Sequence, residues 1–520
     1  MSLHRSIRVL LGSALAFCTT AAGAATFNVT RADDPAPDGC LAADCSLREA
    51  IDATAATPEA DTIVLGAGQY QVTLGEITID RAITISGAGS GETQLTSNGD
   101  YTILHVVAFG VLTVEGLEID SVEGTPLVVG DDGWATLRDI HVPASTGIIG
   151  TDSPDAATDS GSIRVEDSTI DSLLACLQPA GTCTAVDSRI RQIAVVDSAL
   201  ELKRVELDGE NSDFYGLTIR SSSAVTIEDS TIRRTTHPLT LFSNGEAAAR
   251  VNVRRTRFID NTGPIVGDRA SIVDMDEVEF RHHIVSDDNP GAPAVLQATP
   301  GPTWFISRAL VVGNRGGGSL DGAVVRVLGG GRVVFDNSTF DDNTFRAGAS
   351  FGDTIGVYND SGDPTVLWLL HVTMRRAATL DDATVGSLLT VRGPSIDARV
   401  MNSALRGTCG FSGGGAITQG VGNAESIGDT CGLDPATNQI ELPSFDMSLG
   451  DLGDHGGFTE TFQPTRNSFL IDAAESGICS LIGALDQRRF ARPADGVACD
   501  IGALEVGAIA DAIFADGLDG

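Results

Sequence analysis

Lysine is almost absent: Lys203 stands alone in 520 residues, against 70 acidic side chains and a formal charge of -36. That scarcity argues against Schiff-base chemistry and a Walker-type phosphate loop, which both need a lysine. The acidic excess repels nucleic acid and anionic lipid head groups. It repels polyuronates too, unless calcium bridges the two. Aromatic residues are few; Trp134, Trp304 and Trp368 all fall in strand-like stretches, where burial is the expected fate of each. Beyond the N-terminus no run approaches the about 20 apolar residues of a membrane span. Zinc spacings of the C-x2-C kind, HExxH, GxSxG and an EF-hand loop are missing as well. Gly87-Ala88-Gly89-Ser90-Gly91 follows a strand, but no helix comes after it, so it reads as a turn and not a dinucleotide loop.

What is present begins with MSLHRSIRVLLGSALAFCTTAAGAA. Arg5 and Arg8 precede an apolar run ending at Phe17, and the small residues Ala22-Gly23-Ala24 follow, the pattern of a secretory signal cleaved after Ala24. A membrane span would be longer, and a lipid anchor at Cys18 fits poorly after Phe17. Eight cysteines then remain, to be read in an oxidising compartment. Closeness in sequence couples Cys40 with Cys45, Cys176 with Cys183, Cys409 with Cys431, and Cys479 with Cys499.

A repeat runs down the middle. SIRVEDSTI (Ser162 to Ile170), AVTIEDSTI (Ala224 to Ile232), RVNVRRTRF (Arg250 to Phe258), RVVFDNSTF (Arg332 to Phe340) and DARVMNSAL (Asp397 to Leu405) share one frame. It reads apolar, any, apolar, two polar or small, a small or β-branched residue, any, apolar. Further copies begin near Ile83, Leu112, Ala135, Cys183, Leu200, Val273, Trp304 and Leu367. The thirteen lie roughly 26 residues apart, inside the range that marks solenoids. Period-two alternation that breaks and resumes describes a short strand, a bend and a second strand. Glycine, Asn and Asp between copies supply the turns. The expected fold is all-β, a right-handed parallel β-helix; a propeller needs longer repeats and a sandwich needs regular hairpin turns.

A solenoid exposes strand edges and core at its first coil and must be capped there. Ser46-Leu47-Arg48-Glu49 forms a capping box, and Leu47, Ala50, Ile51 and Thr54 line one apolar stripe of the helix it starts. A disulfide between Cys40 and Cys45 would hold the loop feeding that helix. At the far end Cys479 and Cys499 enclose Arg488-Arg489-Phe490-Ala491-Arg492, with Asp486, Asp495 and Asp500 nearby to pair with it. The plain reading is a paired structural loop; the functional one is an anion or glycan contact.

The two ends resemble known sequences. Cys45-Ser46-Leu47-Arg48-Glu49-Ala50-Ile51 is similar to the CSLREA signature near the mature N-terminus of many exported bacterial β-helix proteins. Leu452 to Ala474 and Asp486 to Glu505 resemble the C-terminal choice-of-anchor Q region of the same broad group, with Arg489 where its DQRG-x-x-RP pattern carries glycine. Between them the resemblance is to the pectin-lyase-like superfamily, through the repeat alone. It implies export, a capped solenoid and, in many members, a surface role, but no single reaction. The chain divides accordingly into a signal (1–24), an N-terminal cap (25–82), the coil (83–410), a C-terminal cap region (411–505) and an acidic tail (506–520). Ala510 to Gly520 resembles a short sorting tag, with Leu518-Asp519 in place of its usual aromatic-acid pair; a frayed tail is the plainer reading.

Chemistry on such a shaft would come from outward residues of adjacent coils. A lyase needs a base, for which His282 and His283 in Arg281-His282-His283, or Arg254-Arg255, are the candidates; paired histidines at a coil edge read first as surface residues. A glycosidase needs two carboxyl groups about 5–9.5 Å apart, and Asp336, Asp341 and Asp342 beside Asp260 are the first to test. Asp-Asp doublets recur, however, at Asp131-Asp132, Asp287-Asp288 and Asp381-Asp382, which weakens any one of them as a signal. No cofactor is expected, though acidic turns are suited to loose calcium binding. The preferred function is non-enzymatic display, adhesion or matrix interaction by an exported, extracellular or envelope-associated monomer; a polysaccharide hydrolase or lyase is the alternative. Its partner is then a carbohydrate or envelope surface, not nucleic acid.

Overall fold

The computed structural model describes residues 23–508 apart from 58, 108, 131, 145–147, 152–160, 178–180, 211–214, 243–247, 268–270, 286–290, 318–321, 346–352, 361, 377–385, 444–446, 480–484 and 495–497. Residues 1–22 of the signal segment with Cys18, the tail tag, Asp131, Asp495 and the doublets Asp287-Asp288 and Asp381-Asp382 lie outside the described residues.

Among the described residues forty short strands join one hydrogen-bonded network, and the chain is a right-handed parallel β-helix. The thirteen frames stack in register. Ile83 lies beside Leu112, then Ala135, Ile163, Cys183, Leu200 and Val225. The column continues through Val251, Val273, Trp304, Val333 and Leu367 to Ala398. These side chains point inward and belong to a single buried apolar cluster. Alternation therefore sets the register, since a slip of one residue would turn every inward side chain out.

In every frame after the first, the break is a left-handed residue four positions after the column member. Asp139, Asp167, Asp187, Asp229, Asn337 and Asn402 all have φ between 45° and 52° there, a region that Asp and Asn tolerate better than most. The small residue that follows is a ladder of its own. Ser168 Oγ accepts from Ile140 N at 3.0 Å, Ser188 Oγ from Ser168 N at 3.1 Å, Ser230 Oγ from Val205 N at 3.1 Å and Ser338 Oγ from Ala309 N at 3.0 Å. The corner amide, which the sheet leaves unpaired, is satisfied by the neighbouring coil. A second corner uses asparagine. Asn314 Oδ1 accepts from His283 N at 2.9 Å, while its amide donates to Phe280 O and Asn343 Oδ1, both at 3.0 Å.

At the N-terminus the capping box forms as expected: Ser46 accepts from Glu49 N, and Glu49 Oε2 accepts from Ser46 N at 2.8 Å. The helix Leu47–Ala53 continues as a 3-10 turn through Ala56, with Leu47, Ala50, Ile51 and Thr54 all buried. Coils extend past the frames at both ends. Asp61–Val64 pairs with the first frame, and Ala424–Ser426 with the second strand of the last. Asp61 takes an inward column position and Gly420 another, so alternation fades there.

All four expected disulfides are present: Cys40 with Cys45, Cys176 with Cys183, Cys409 with Cys431, and Cys479 with Cys499. The third fastens the stretch after the last frame. Cys409 is half-buried on the strand that pairs with Leu389–Arg392, while Cys431 is fully buried against the end of the apolar column. The Cys431 amide donates to Glu425 Oε1 at 3.1 Å. Residues on both sides of position 410 therefore belong to the same run of coils, and Cys431 helps to close its apolar end where alternation has faded.

The C-terminal region closes against the last coils, where Asn402 Oδ1 accepts from Glu475 N at 2.8 Å. It then runs back along one flank of the shaft. Ala503 N donates to Thr373 Oγ1 at 2.9 Å, Gln487 Oε1 accepts from Thr339 Oγ1 at 2.6 Å, and Arg489 reaches Glu277 at 3.2 Å. Phe458 packs under the Arg257 guanidinium at 4.6 Å. Outward residues on this flank change character where the strap begins: Arg189, Glu206, Thr231 and Arg257 are followed by buried Leu310, Thr339, Thr373 and Ala404.

Candidate functional site

The first strand of each frame presents a flat outward face that the strap leaves uncovered over much of its length. One outward column on it reads Thr84, Thr113, Thr136, Arg164, Thr184, Glu201, Thr226, Asn252 and Asp274. It ends in Phe305, Val334, Trp368 and Arg399. Threonines thus alternate with charged side chains and Asn252 through the middle, and aromatic rings stand at the far end. Phe305 is 43% exposed. Trp368 is half-buried, donates from Nε1 to Asp397 at 3.2 Å and lies under the Arg399 guanidinium at 4.5 Å.

Trp134, at the other end, is 41% exposed and stands beside half-exposed Val111 on the neighbouring coil. Burial, expected for all three tryptophans, holds fully only for Trp304, which sits in the inward column. Trp134 and Trp368 occupy outward positions of the same frame, so strand membership alone did not decide their fate. Trp134 and Phe305 lie seven coils apart, about 34 Å at the spacing of paired strands.

Two carboxylates stand beside Phe305 on this face. Asp274 and Asp276 are two residues apart on one strand, hence on the same side, with Cα atoms about 6.6 Å apart. Partial desolvation first, then repulsion from Asp276, holds the Asp274 carboxyl above the ordinary carboxylate range, with Arg308 opposing, although the side chain stays open to solvent. Asp276 is gripped by Arg308 at 2.5 Å and approached by Arg489 at 3.4 Å. Sequence reasoning missed this pair, although the alternation in VDMDEVEF already puts both carboxylates outward.

The carboxylates nominated from sequence are not brought together. Asp336 is buried between shaft and strap, and that burial pushes its carboxyl up to about 7, with Asn337, Arg308 and Arg492 opposing. Asp341 is held by Arg375 through two bonds of 2.7 and 2.8 Å. Asp342 and Asp260 are exposed left-handed corner residues three coils apart, about 14 Å at the strand spacing. His282 is exposed and 3.8 Å from Asp260. His283, read as a surface residue, is instead fully buried: it occupies a rung of the asparagine ladder, with Nδ1 3.0 Å from Ala294 O and Nε2 3.1 Å from Phe258 O. Desolvation drives its pKa down to about 4.

The DQR segment is a buried lock. Asp486 Oδ2 receives Arg488 at 2.6 Å and Glu505 N at 3.1 Å, and Arg492 pairs with Glu505 at 3.1 Å. Below the strap the flank stays open, and its charges are matched across coils: Arg204 with Asp187, Arg255 with Asp229, and Arg189 with Asp171 and Glu210. Among the described residues no group of three or more His, Cys, Asp or Glu is placed to hold a metal ion. No helix among them is long and apolar enough to cross a membrane.

No family model matches the chain, and no curated protein does. Several solved structures resemble it in fold. A tailspike protein of bacteriophage CBA120 aligns at 12% identity over 78% of this chain and 59% of its own, with a TM-score of 0.41. The A-module of an Azotobacter vinelandii mannuronan C-5 epimerase aligns at 12% identity over 78% and 100%, with a TM-score of 0.34. A pectate lyase, Pel9A, aligns at 13% identity over 92% and 96%, with a TM-score of 0.26. The chain thus spans about three-fifths of the tailspike.

Proposed function

We propose that this is an exported glycan-binding shaft, in which an extended polysaccharide lies lengthwise along the outward face of the frame strands. One observation supports it most: Trp134 and Phe305 are exposed on that same face, on either side of a strip of threonine, asparagine and charged side chains. Flat rings stack on the apolar faces of sugars, while Thr, Asn and charged side chains bond their hydroxyls. Coils recur every 4.7–4.9 Å, close to the length of one sugar unit in an extended chain, so successive coils meet successive sugars. The negative charge of the protein favours a neutral glycan, or an acidic one bridged by calcium.

Binding of the mature protein to a panel of neutral and acidic polysaccharides, with and without calcium, tests this. Retention of at least one glycan, weakened by Trp134→Ala and by Phe305→Ala, is expected. Failure to bind any, or binding indifferent to both changes, refutes it.

A second reading has its own support in Asp274 and Asp276. Their backbone spacing allows the two carboxyl groups to meet a sugar at the separation used by glycosidases; Asp274, held above its usual range, would be the acid, and arginine-bound Asp276 the second carboxylate. Release of reducing ends from the bound glycan, lost in Asp274→Asn while binding persists, would establish cleavage. Binding without release leaves the shaft a display protein.

A further inference from the structure

The first coil carries a buried carboxylate whose partner is a chain atom at an unusual place. Asp61 is 1% exposed and occupies the column position where the next coil has Ile83. Its Oδ1 accepts from the backbone N of Ala25 at 2.7 Å, and its Oδ2 from the Thr57 hydroxyl. Among the described residues no arginine, lysine or histidine forms an ion pair with it. An ionised carboxylate out of water, with only neutral donors, is unfavourable by several kcal/mol. An apolar side chain at this position would continue the column, so the sequence retains a carboxyl group where the fold does not need one.

Ala25 is also the residue that the signal pattern would leave first in the chain. Gly23 and Ala24 are exposed, so the Ala24–Ala25 bond is open to solvent. The strand Thr26–Asn28 pairs with Asp61–Val64, with Thr62 N donating to Ala25 O at 2.9 Å and Val29 N to Val64 O at 3.0 Å.

We propose that Ala24–Ala25 is a processing site and that Asp61 is the receptor for the α-ammonium group released there. An exported endopeptidase adds water across the bond. The hydroxyl goes to the Ala24 carbonyl, and the Ala25 nitrogen leaves as an amine that takes a proton. The amide donor facing Asp61 thereby becomes a unit positive charge at the same 2.7 Å, and a neutral hydrogen bond turns into a charge-assisted one. Cleavage completes the first coil: before it the buried carboxylate has no counter-charge, after it the edge strand of the solenoid is tied down at its very end. The processing site stands apart from glycan binding and survives its failure.

The test has two parts. The intact mass of the exported protein is expected to begin at Ala25. Amide exchange at Val29 and Thr62 is then compared in that chain and in one carrying an extra Gly-Ser before Ala25, which moves the ammonium group away without touching the core. Exchange slower by about tenfold in the Ala25 chain is expected, the ratio that 1.4 kcal/mol provides. In the Asp61→Asn background the two chains should exchange alike. A mature terminus elsewhere than Ala25 overturns the processing site. Equal exchange with Asp61 present overturns its role as receptor.

Discussion

Replacing Asp336 with asparagine should stabilise the protein at alkaline pH. The carboxyl is pushed up from its ordinary 3.8 to about 7 by burial between shaft and strap. A carboxylate raised in the folded state binds its proton more tightly there than in the unfolded chain, so folding takes up a proton between the two values. Its contribution is full below the unfolded pKa and is lost as pH rises through the folded one. Three units at 1.36 kcal/mol each set a ceiling of about 4 kcal/mol on the loss between pH 4 and pH 8. Asparagine keeps the shape and has no such slope.

Variant and parent should therefore match near pH 4, and the variant should gain steadily toward pH 8. Buried His283 acts oppositely: its pKa, driven down to about 4, withdraws stability as pH falls below 6.5. It is common to both chains and cancels in the difference. Urea midpoints at intervals from pH 4 to 9, read by amide exchange near Phe335 and Asn337 because long solenoids do not unfold in one step, provide the measurement. A variant weaker than the parent at pH 8 would refute the reasoning. It would mean that the charge is needed to hold Arg308 and Arg492.

Other expectations follow from single contacts. Asn314→Ala removes an acceptor for His283 N and donors to two carbonyl-type oxygens in the buried corner; a loss of roughly 2–3 kcal/mol is expected in urea unfolding. Gly502→Ala puts a methyl group 2.5 Å from Thr373 Oγ1 at a φ of +101°, and should free the strap, seen as new proteolytic cleavage in residues 447–505 with the shaft intact. Phe305→Ala should lower glycan affinity by at least about 1 kcal/mol, the cost at which truncating a contributing contact residue registers, without changing the thermal transition.

Much of this was legible in the chain. Period-two alternation broken at a fixed position is a property of local sequence, so thirteen frames could be aligned before any pairing was known, and they stack in that alignment. The capping box needs only Ser46 and Glu49 three apart, and the disulfides only neighbours in sequence. Those features are decided by residues close together along the chain. The serine that follows several of the bends was visible as a small residue. Its purpose was not, because its partner is an amide one coil away.

The site was harder to read for the same reason. Acidic residues are so frequent that sequence could not say which would meet; stacking separates Asp260 from Asp342 by three coils and leaves Asp274 beside Asp276 and Phe305. Trp304 and Trp368 share a frame and differ only in parity, inward against outward. Asp336 and Asp341 look exposed until the C-terminal strap returns over them, a contact across some 150 residues. The sequence by itself determined the coil, its bends and its caps, since these follow from alternation and local hydrogen bonds. Tertiary structure alone decided which outward residues see water and which lie under the strap, because that depends on where a distant segment comes to rest.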